Sequence, residues 1–279
     1  MDTVKRQRAQ DFVDLHKKDG CFLLPNAWDV GSARLLVNAG FSAVATTSAG
    51  IAFSLGRPDH GYGEGRLDRG VMLARVAEVA AGIDVPLSAD LEDGYGEAPE
   101  VVAETVELTI AAGAVGGNVE DFTGSRATPL YDTELAVERI RAARSVIDAH
   151  GTPFALVGRT DVLLTGGTLD EAISRANAYL AAGADCAFVP GAADAETIGA
   201  LVRGIDGPLN VVMGLTGGTL SMADLRELGV RRVTVGGSIL RSMYRQLVDT
   251  ARELAEQGTF TYAANQLPQD EINALYGRR

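Results

Sequence analysis

The chain is poor in the residues that build metal clusters and disulfide frameworks, with 2 cysteines, 3 histidines and 1 tryptophan among 279 residues. Cys21 and Cys186 both sit inside apolar runs and read as reduced core thiols of a cytoplasmic protein. His16, His60 and His150 are scattered and match no zinc-ligand spacing. No apolar run reaches the length of about 18 residues that a membrane span requires. The polar start MDTVKRQRAQ lacks the apolar stretch of a secretory signal. Positive charge is short as well: 25 Lys and Arg face 37 Asp and Glu, a net charge of −12. Nucleic-acid binding needs a basic stripe to replace counterions, and none is visible. An acidic chain that takes an anionic substrate needs a metal ion or a local arginine to offset repulsion.

What is present is alternation. Short β-type runs at 21–27, 43–48, 86–91, 116–121, 154–160, 186–190, 209–213 and 232–236 each precede a helical stretch. The helical stretches are 30–39, 66–81, 98–112, 132–149, 168–182, 194–203, 221–228 and 238–256. Several stop on a glycine (Gly40, Gly113, Gly183, Gly229), the left-handed cap that turns a helix into the next strand. Eight such repeats predict an α/β fold, a (β/α)8 TIM barrel. Residues 1–20 are expected to form a preceding helix and 257–279 a C-terminal extension, the whole of 1–279 being one domain. A doubly wound open sheet is the competing architecture, but its Gly-rich fingerprint is missing after the first strand.

In a barrel, catalytic groups lie at the C-terminal ends of the strands. The third strand ends Asp90-Leu91-Glu92-Asp93-Gly94-Tyr95-Gly96 and the fourth Asn118-Val119-Glu120-Asp121. Alternation along a strand sends Asp90 and Glu92 the same way, and Asn118 with Glu120. Asp90, Glu92 and Glu120 therefore converge, and three crowded carboxylates call for a hard cation, Mg²⁺ or Mn²⁺. Asp93 and Asp121 are better read as helix caps. Arg159, ending the fifth strand, either neutralises these acids or clamps a substrate carboxylate in a bidentate fork. Thr47, Ser48 and Ala49 offer backbone N–H groups for an anion nest. Asn210 and Trp28 are further polar or aromatic groups at strand ends, Trp28 fitting a core role equally well.

Taken in order, Asn26-Ala27-Trp28-Asp29, Thr47-Ser48-Ala49-Gly50, Gly56-Arg57-Pro58-Asp59, the Asp90–Gly96 run, Glu120-Asp121 and Arg159-Thr160-Asp161 resemble the isocitrate lyase/phosphoenolpyruvate mutase superfamily over roughly residues 20–245. The resemblance implies Mg²⁺ (Mn²⁺ being possible) on Asp90, Glu92 and Glu120, and a catalytic set of Arg159, Glu120 and Asp59. It also implies a small 2-oxo or dicarboxylic acid bound by Thr47, Ser48, Ala49, Asp90, Arg159, Asn210 and Trp28. The reaction implied passes through an enolate, in a homo-oligomer (dimer or tetramer) that exchanges its last helix between subunits.

Departures from the family pattern narrow the reaction. The Lys-[Lys/Arg]-Cys-Gly-His loop of the isocitrate lyases is replaced by Phe122-Thr123-Gly124-Ser125-Arg126-Ala127-Thr128-Pro129. Phe122 stands where the phosphorus-handling members carry Lys, and Val189-Pro190-Gly191 where they carry His. The expectation is a carbon–carbon lyase acting beside a 2-oxo acid, with loop 122–130 as a lid. The alternatives are P–C bond chemistry on a phosphonate, and a 2-oxo acid-binding protein with little turnover.

Overall fold

The computed structural model describes residues 3–59 and 66–277, which leaves His60 outside. Nine short parallel strands make up the sheet: β1 (Phe22–Leu23), β2 (Asn26–Ala27), β3 (Val44–Thr46), β4 (Leu87–Asp90), β5 (Gly116–Glu120), β6 (Ala155–Arg159), β7 (Cys186–Phe188), β8 (Leu209–Val212) and β9 (Arg232–Thr234). The expected first strand is split at Leu24-Pro25. Its first half pairs with β9 and its second with β3. Leu24 N–H donates to Val233 O, and Pro25 O accepts from Ala45 N–H, both at 2.8 Å. One extended segment thus joins the two ends of the sheet, and the (β/α)8 barrel closes through it.

The helices are α1 (Thr3–Leu15), α2 (Val30–Asn38), α3 (Ser48–Ser54), α4 (Arg69–Gly82), α5 (Pro99–Ala111), α6 (Thr133–His150), α7 (Leu169–Ala181), α8 (Ala195–Gly204), α9 (Met222–Leu228), α10 (Ser238–Glu256) and α11 (Gln269–Gly277). Their ends follow local chemistry. Asp29, Thr168, Asp194 and Ser221 each accept a backbone N–H of the first turn. The glycine stops take left-handed backbone, φ +95° at Gly113 and +93° at Gly229. One helix was not expected: α3 begins at Ser48, capped by Thr47, where the sequence suggests that β3 continues to residue 48.

Helix α1 covers the N-terminal end of the barrel. Its Phe12 is buried among Leu24, Ala45, Val115 and Ala155, a burial that stabilises the fold by about 2–3 kcal/mol. Gly116 makes room for that ring, since a Cβ there would sit 2.8 Å from Phe12 Cε1. At the C-terminal end, α11 folds back on α2, where Arg34 and Asn38 donate to the carbonyls of Tyr276 and Leu275. Among the described residues no helix is long and apolar enough to cross a membrane.

Candidate active site

A cavity of about 510 Å³ opens at the C-terminal ends of the strands. Thr47, Ser48, Ala49, Asp59, Asp90, Glu92, Glu120, Arg159 and Asn210 all line it. Trp28 does not. It is buried behind the wall with Ile51, Ala52, Leu67, Met72 and Leu240, a core residue rather than a substrate contact.

Asp90, the last residue of β4, is held on three sides. Its Oδ2 accepts from Ser48 N–H and Ser48 Oγ–H, both at 2.8 Å, and its Oδ1 from Asn118 Nδ2 at 3.0 Å. Two of the three amides expected in the anion nest are therefore committed elsewhere: Ser48 N–H to Asp90, and Thr47 N–H to Ala27 O at 3.1 Å. The nest does not form as the sequence suggests, because Thr47 turns the chain directly into α3.

Glu92 reaches the cavity by a route that strand alternation does not describe. The strand ends at Asp90, and Glu92 sits in the following turn at φ +49°, left-handed backbone that a residue with a Cβ adopts at a cost of about 1–2 kcal/mol. Its carbonyl is pinned by Glu120 N–H at 2.9 Å. Its carboxylate meets Arg66 Nε at 3.0 Å and accepts a long hydrogen bond from Tyr95 OH. Burial pushes its carboxyl up to about 7, with Arg66 opposing the rise and Asp90 and Asp59 adding to it. Glu120 is also raised: burial is again the main cause, Arg159 opposes it, and Asp161, Asp90 and Glu92 reinforce it.

Arg159 lies within ion-pair distance of one of these acids. Its Nη1 lies 2.8 Å from Glu120 Oε2. Its Nε and Nη2 donate to the two carboxylate oxygens of Asp161 at 2.6 and 2.9 Å. Burial works against its charge, but Asp161 and Glu120 more than offset that and hold it protonated. These contacts use three of the five guanidinium N–H groups, leaving two for a substrate.

Asp93 and Asp121 cap no helix; each instead holds loops together. Asp93 accepts from Arg66, from Tyr131 OH and from Tyr95 N–H, and its carbonyl takes Arg139. Asp121 accepts from Tyr179 OH at 2.7 Å and from Asp161 N–H at 2.9 Å, with Arg175 at 3.3 Å. Asp121 thus fixes the residue that aims Arg159. Its partners are 40 and 58 positions away in the chain, a separation that no local pattern signals.

Arg66, Arg232 and Arg241 also went unforeseen. Arg232, inside the barrel, reaches Ser88 Oγ at 3.2 Å and approaches His16 Nε2 at 3.5 Å. Burial lowers its pKa to about 10 and pushes His16 down to about 3, so a neutral imidazole faces the cation. The expected lid is a small hairpin: Phe122 bridges Leu130, and Thr123 N–H donates to Pro129 O at 2.9 Å.

Among the described residues no three acidic groups stand close enough to form a ready metal cluster. The donor chemistry still fits a hard divalent ion. Five carboxylates line one cavity, and Glu92 Oε2 is buried without a hydrogen bond, held only by its ion pair to Arg66.

Comparison with known proteins agrees with this architecture. Residues 12–255 match the model of the phosphoenolpyruvate phosphomutase family, and the chain belongs to that family. The crystal structure of a lyase/mutase candidate from Burkholderia cenocepacia J2315 superposes with a TM-score of 0.94 at 45% identity, covering 99% of this chain and 98% of that one. The 2-methylisocitrate lyase of Escherichia coli is 31% identical over 237 residues, 81% of this chain and 77% of its own. The structure of an oxaloacetate acetylhydrolase bound to its product oxalate superposes with a TM-score of 0.85 at 26% identity, covering 98% of this chain and 94% of that one. The chain is an enzyme of the lyase type within this superfamily, whose members cleave or rearrange small carboxylic acids.

Proposed function

We propose that the protein is a Mg²⁺-dependent lyase that breaks the carbon–carbon bond beside a 2-oxo acid. The observation that supports this best is the juxtaposition of Arg159, with two donors to spare, and five carboxylates on the wall of one cavity. Asp90, Glu92 and Glu120 would hold the cation, with Asp59 beside them. Bound there, it would supply a Lewis acid for the negative charge that develops on the 2-oxo group. Arg159 takes the substrate carboxylate. Asp161 keeps the guanidinium in plane, so that the reacting bond is presented in one orientation. Phe122 and Pro190 put apolar walls in place of the charged groups that phosphorus-handling relatives use, which favours carbon–carbon cleavage.

Pyruvate release from oxaloacetate, substituted malates and phosphonopyruvate, each with Mg²⁺ or EDTA, tests this reading. Release from a carbon–carbon substrate, cut at least 100-fold by EDTA, is expected. Asp90→Ala should abolish both turnover and the rise in melting temperature on adding Mg²⁺. Release from phosphonopyruvate alone would transfer the protein to phosphorus chemistry. Tight oxalate binding with no turnover of any substrate would make it a binding protein.

We also propose a homo-oligomer built on α10. That helix runs 19 residues yet buries only Leu240. Met243, Tyr244, Leu247 and Val248 form an exposed apolar stripe on it. A second copy of the chain is the occupant expected, since Met243, Leu247 and Val248 stay half or more exposed although Tyr244 OH donates to Phe53 O of α3. Light scattering should show a dimer or tetramer for the wild type and a monomer for Leu247→Asp. A wild type that is monomeric at tens of micromolar would overturn this assignment.

A further inference from the structure

Barrel interiors are normally filled by branched aliphatic side chains, but the first residue of β9 puts a guanidinium there. Arg232 is 1% exposed, with Nη2 donating to Ser88 Oγ of β4 and Nη1 beside His16 Nε2 just after α1. Its Nε is buried with no hydrogen-bond partner. Among the described residues no carboxylate comes within ion-pair distance of it, whereas Arg66, Arg159 and Arg175 each have one.

The groups around Arg232 do not supply the missing charge. His16 is neutral, and burial pushes the Cys186 thiol up to about 12, so that it is neutral as well. Ser88 and Asn210, the latter its partner in the sheet register, are uncharged. Asp90 is the carboxylate whose field reaches Arg232, but both Asp90 oxygens are taken by Ser48 and Asn118. A water molecule would satisfy the Nε hydrogen bond but not the charge, and a buried cation without a counter-charge is strongly disfavoured.

The cavity reaches this cation. Arg232, Asn210, Thr234 and Asn26 all line it, and Arg232 begins β9 where Thr234 ends it, so the guanidinium lies towards the inner end. Asn210 is fully buried, with Oδ1 unpartnered and Nδ2 donating to Thr234 Oγ1 at 3.3 Å. A half turn of that amide lets Oδ1 accept from the Thr234 hydroxyl and frees the NH₂ as a second donor.

We infer that Arg232 and Asn210 form a site for one small inorganic monoanion of chloride size at the inner end of the cavity. One guanidinium in a low-dielectric interior matches a single negative charge, and a dianion would leave an excess. The inference goes beyond the lyase reading and does not depend on where a substrate or a metal ion binds. An anion there also keeps the guanidinium from competing for Asp90.

Crystals of the full chain soaked in sodium bromide test the site, because bromide is a near-isosteric anomalous scatterer for chloride. A peak within hydrogen-bonding reach of the Arg232 guanidinium is expected, and it should persist when oxalate and Mg²⁺ are added. In solution, sodium chloride at ten times its dissociation constant should raise the melting midpoint by about 2–4 °C over sodium methanesulfonate at equal ionic strength. Arg232→Met, similar in size but uncharged, should lose that difference; if the variant does not fold, the bromide map decides alone. Peaks at surface lysines alone, an adventitious ion only, would overturn the site, as would equal midpoints of the wild type in the two salts. Loss of the peak on adding oxalate would make the anion at Arg232 the carboxylate of a bound acid and overturn the inorganic assignment.

Discussion

Replacing Arg159 with methionine is expected to lower stability by about 3–5 kcal/mol at pH 8, the range for leaving a buried charge unpaired. Arg159 is the counter-charge of both Glu120 and Asp161, which are 7% and 4% exposed. Without it, burial and the neighbouring acids push Glu120 still higher. A carboxyl whose folded pKa lies above its unfolded value takes up protons on folding, so the variant loses stability as pH rises from about 4.5. The deficit against wild type should therefore narrow from pH 8 to pH 5.5. Arg159→Lys keeps a charge but not the planar fork. Its affinity for oxalate should fall about 10- to 150-fold, equivalent to about 1.5–3 kcal/mol. Denaturant titrations of wild type and the methionine variant at both pH values, and calorimetric titration of wild type and the lysine variant with oxalate, decide the matter. A methionine variant as stable as wild type at pH 8 would show that the ion pairs contribute nothing.

Asp121→Ala should be nearly as damaging to stability, although Asp121 does not line the cavity. The carboxylate satisfies Tyr179 OH, Asp161 N–H and Arg175; its removal strands the first two buried donors, while Arg175 keeps Glu171 and the carbonyl of Tyr131. A loss of about 2–5 kcal/mol is expected for two buried donors left unsatisfied. Tyr179→Phe, which removes one hydrogen bond and leaves an acceptor that still has two partners, should cost about 1–2 kcal/mol. Because the two residues share that bond, the double variant should cost less than the sum of the single changes. The functional consequence runs through Asp161, whose freed backbone lets Arg159 turn. The Michaelis constant should therefore rise more than the turnover number falls. An Asp121→Ala protein that unfolds within 1 kcal/mol of wild type would remove Asp121 from this positioning role.

The barrel and the location of its site were legible in the chain because both depend on local signals. Strand and helix periods repeat every few residues, and glycine stops at Gly113 and Gly229 need only their own left-handed backbone. Acids such as Asp90 and Glu120 at the ends of apolar runs were conspicuous because apolar packing does not select them. Asn118 and Glu120 do share the cavity wall, as alternation along an intact strand requires. The same rule failed for Glu92, since β4 ends two residues earlier and the turn, not the pleat, aims its side chain. Trp28 was ambiguous for a related reason: a residue at a strand end can face the cavity or the layer behind it, and packing against Ile51 and Met72 decides.

The order of elements, the mouth of the barrel and the acids around it were thus determined by sequence alone, because each follows from the covalent neighbours of the residue concerned. Charge pairing was decided only by the tertiary structure. Whether Arg159 faces Glu120, whether Asp121 caps a helix or holds Tyr179, and whether the Ser48 amide serves a ligand or Asp90 all depend on groups about 40 or more residues apart. Coulombic attraction and desolvation act through space, and their balance is set by burial, which exists only once the barrel has closed.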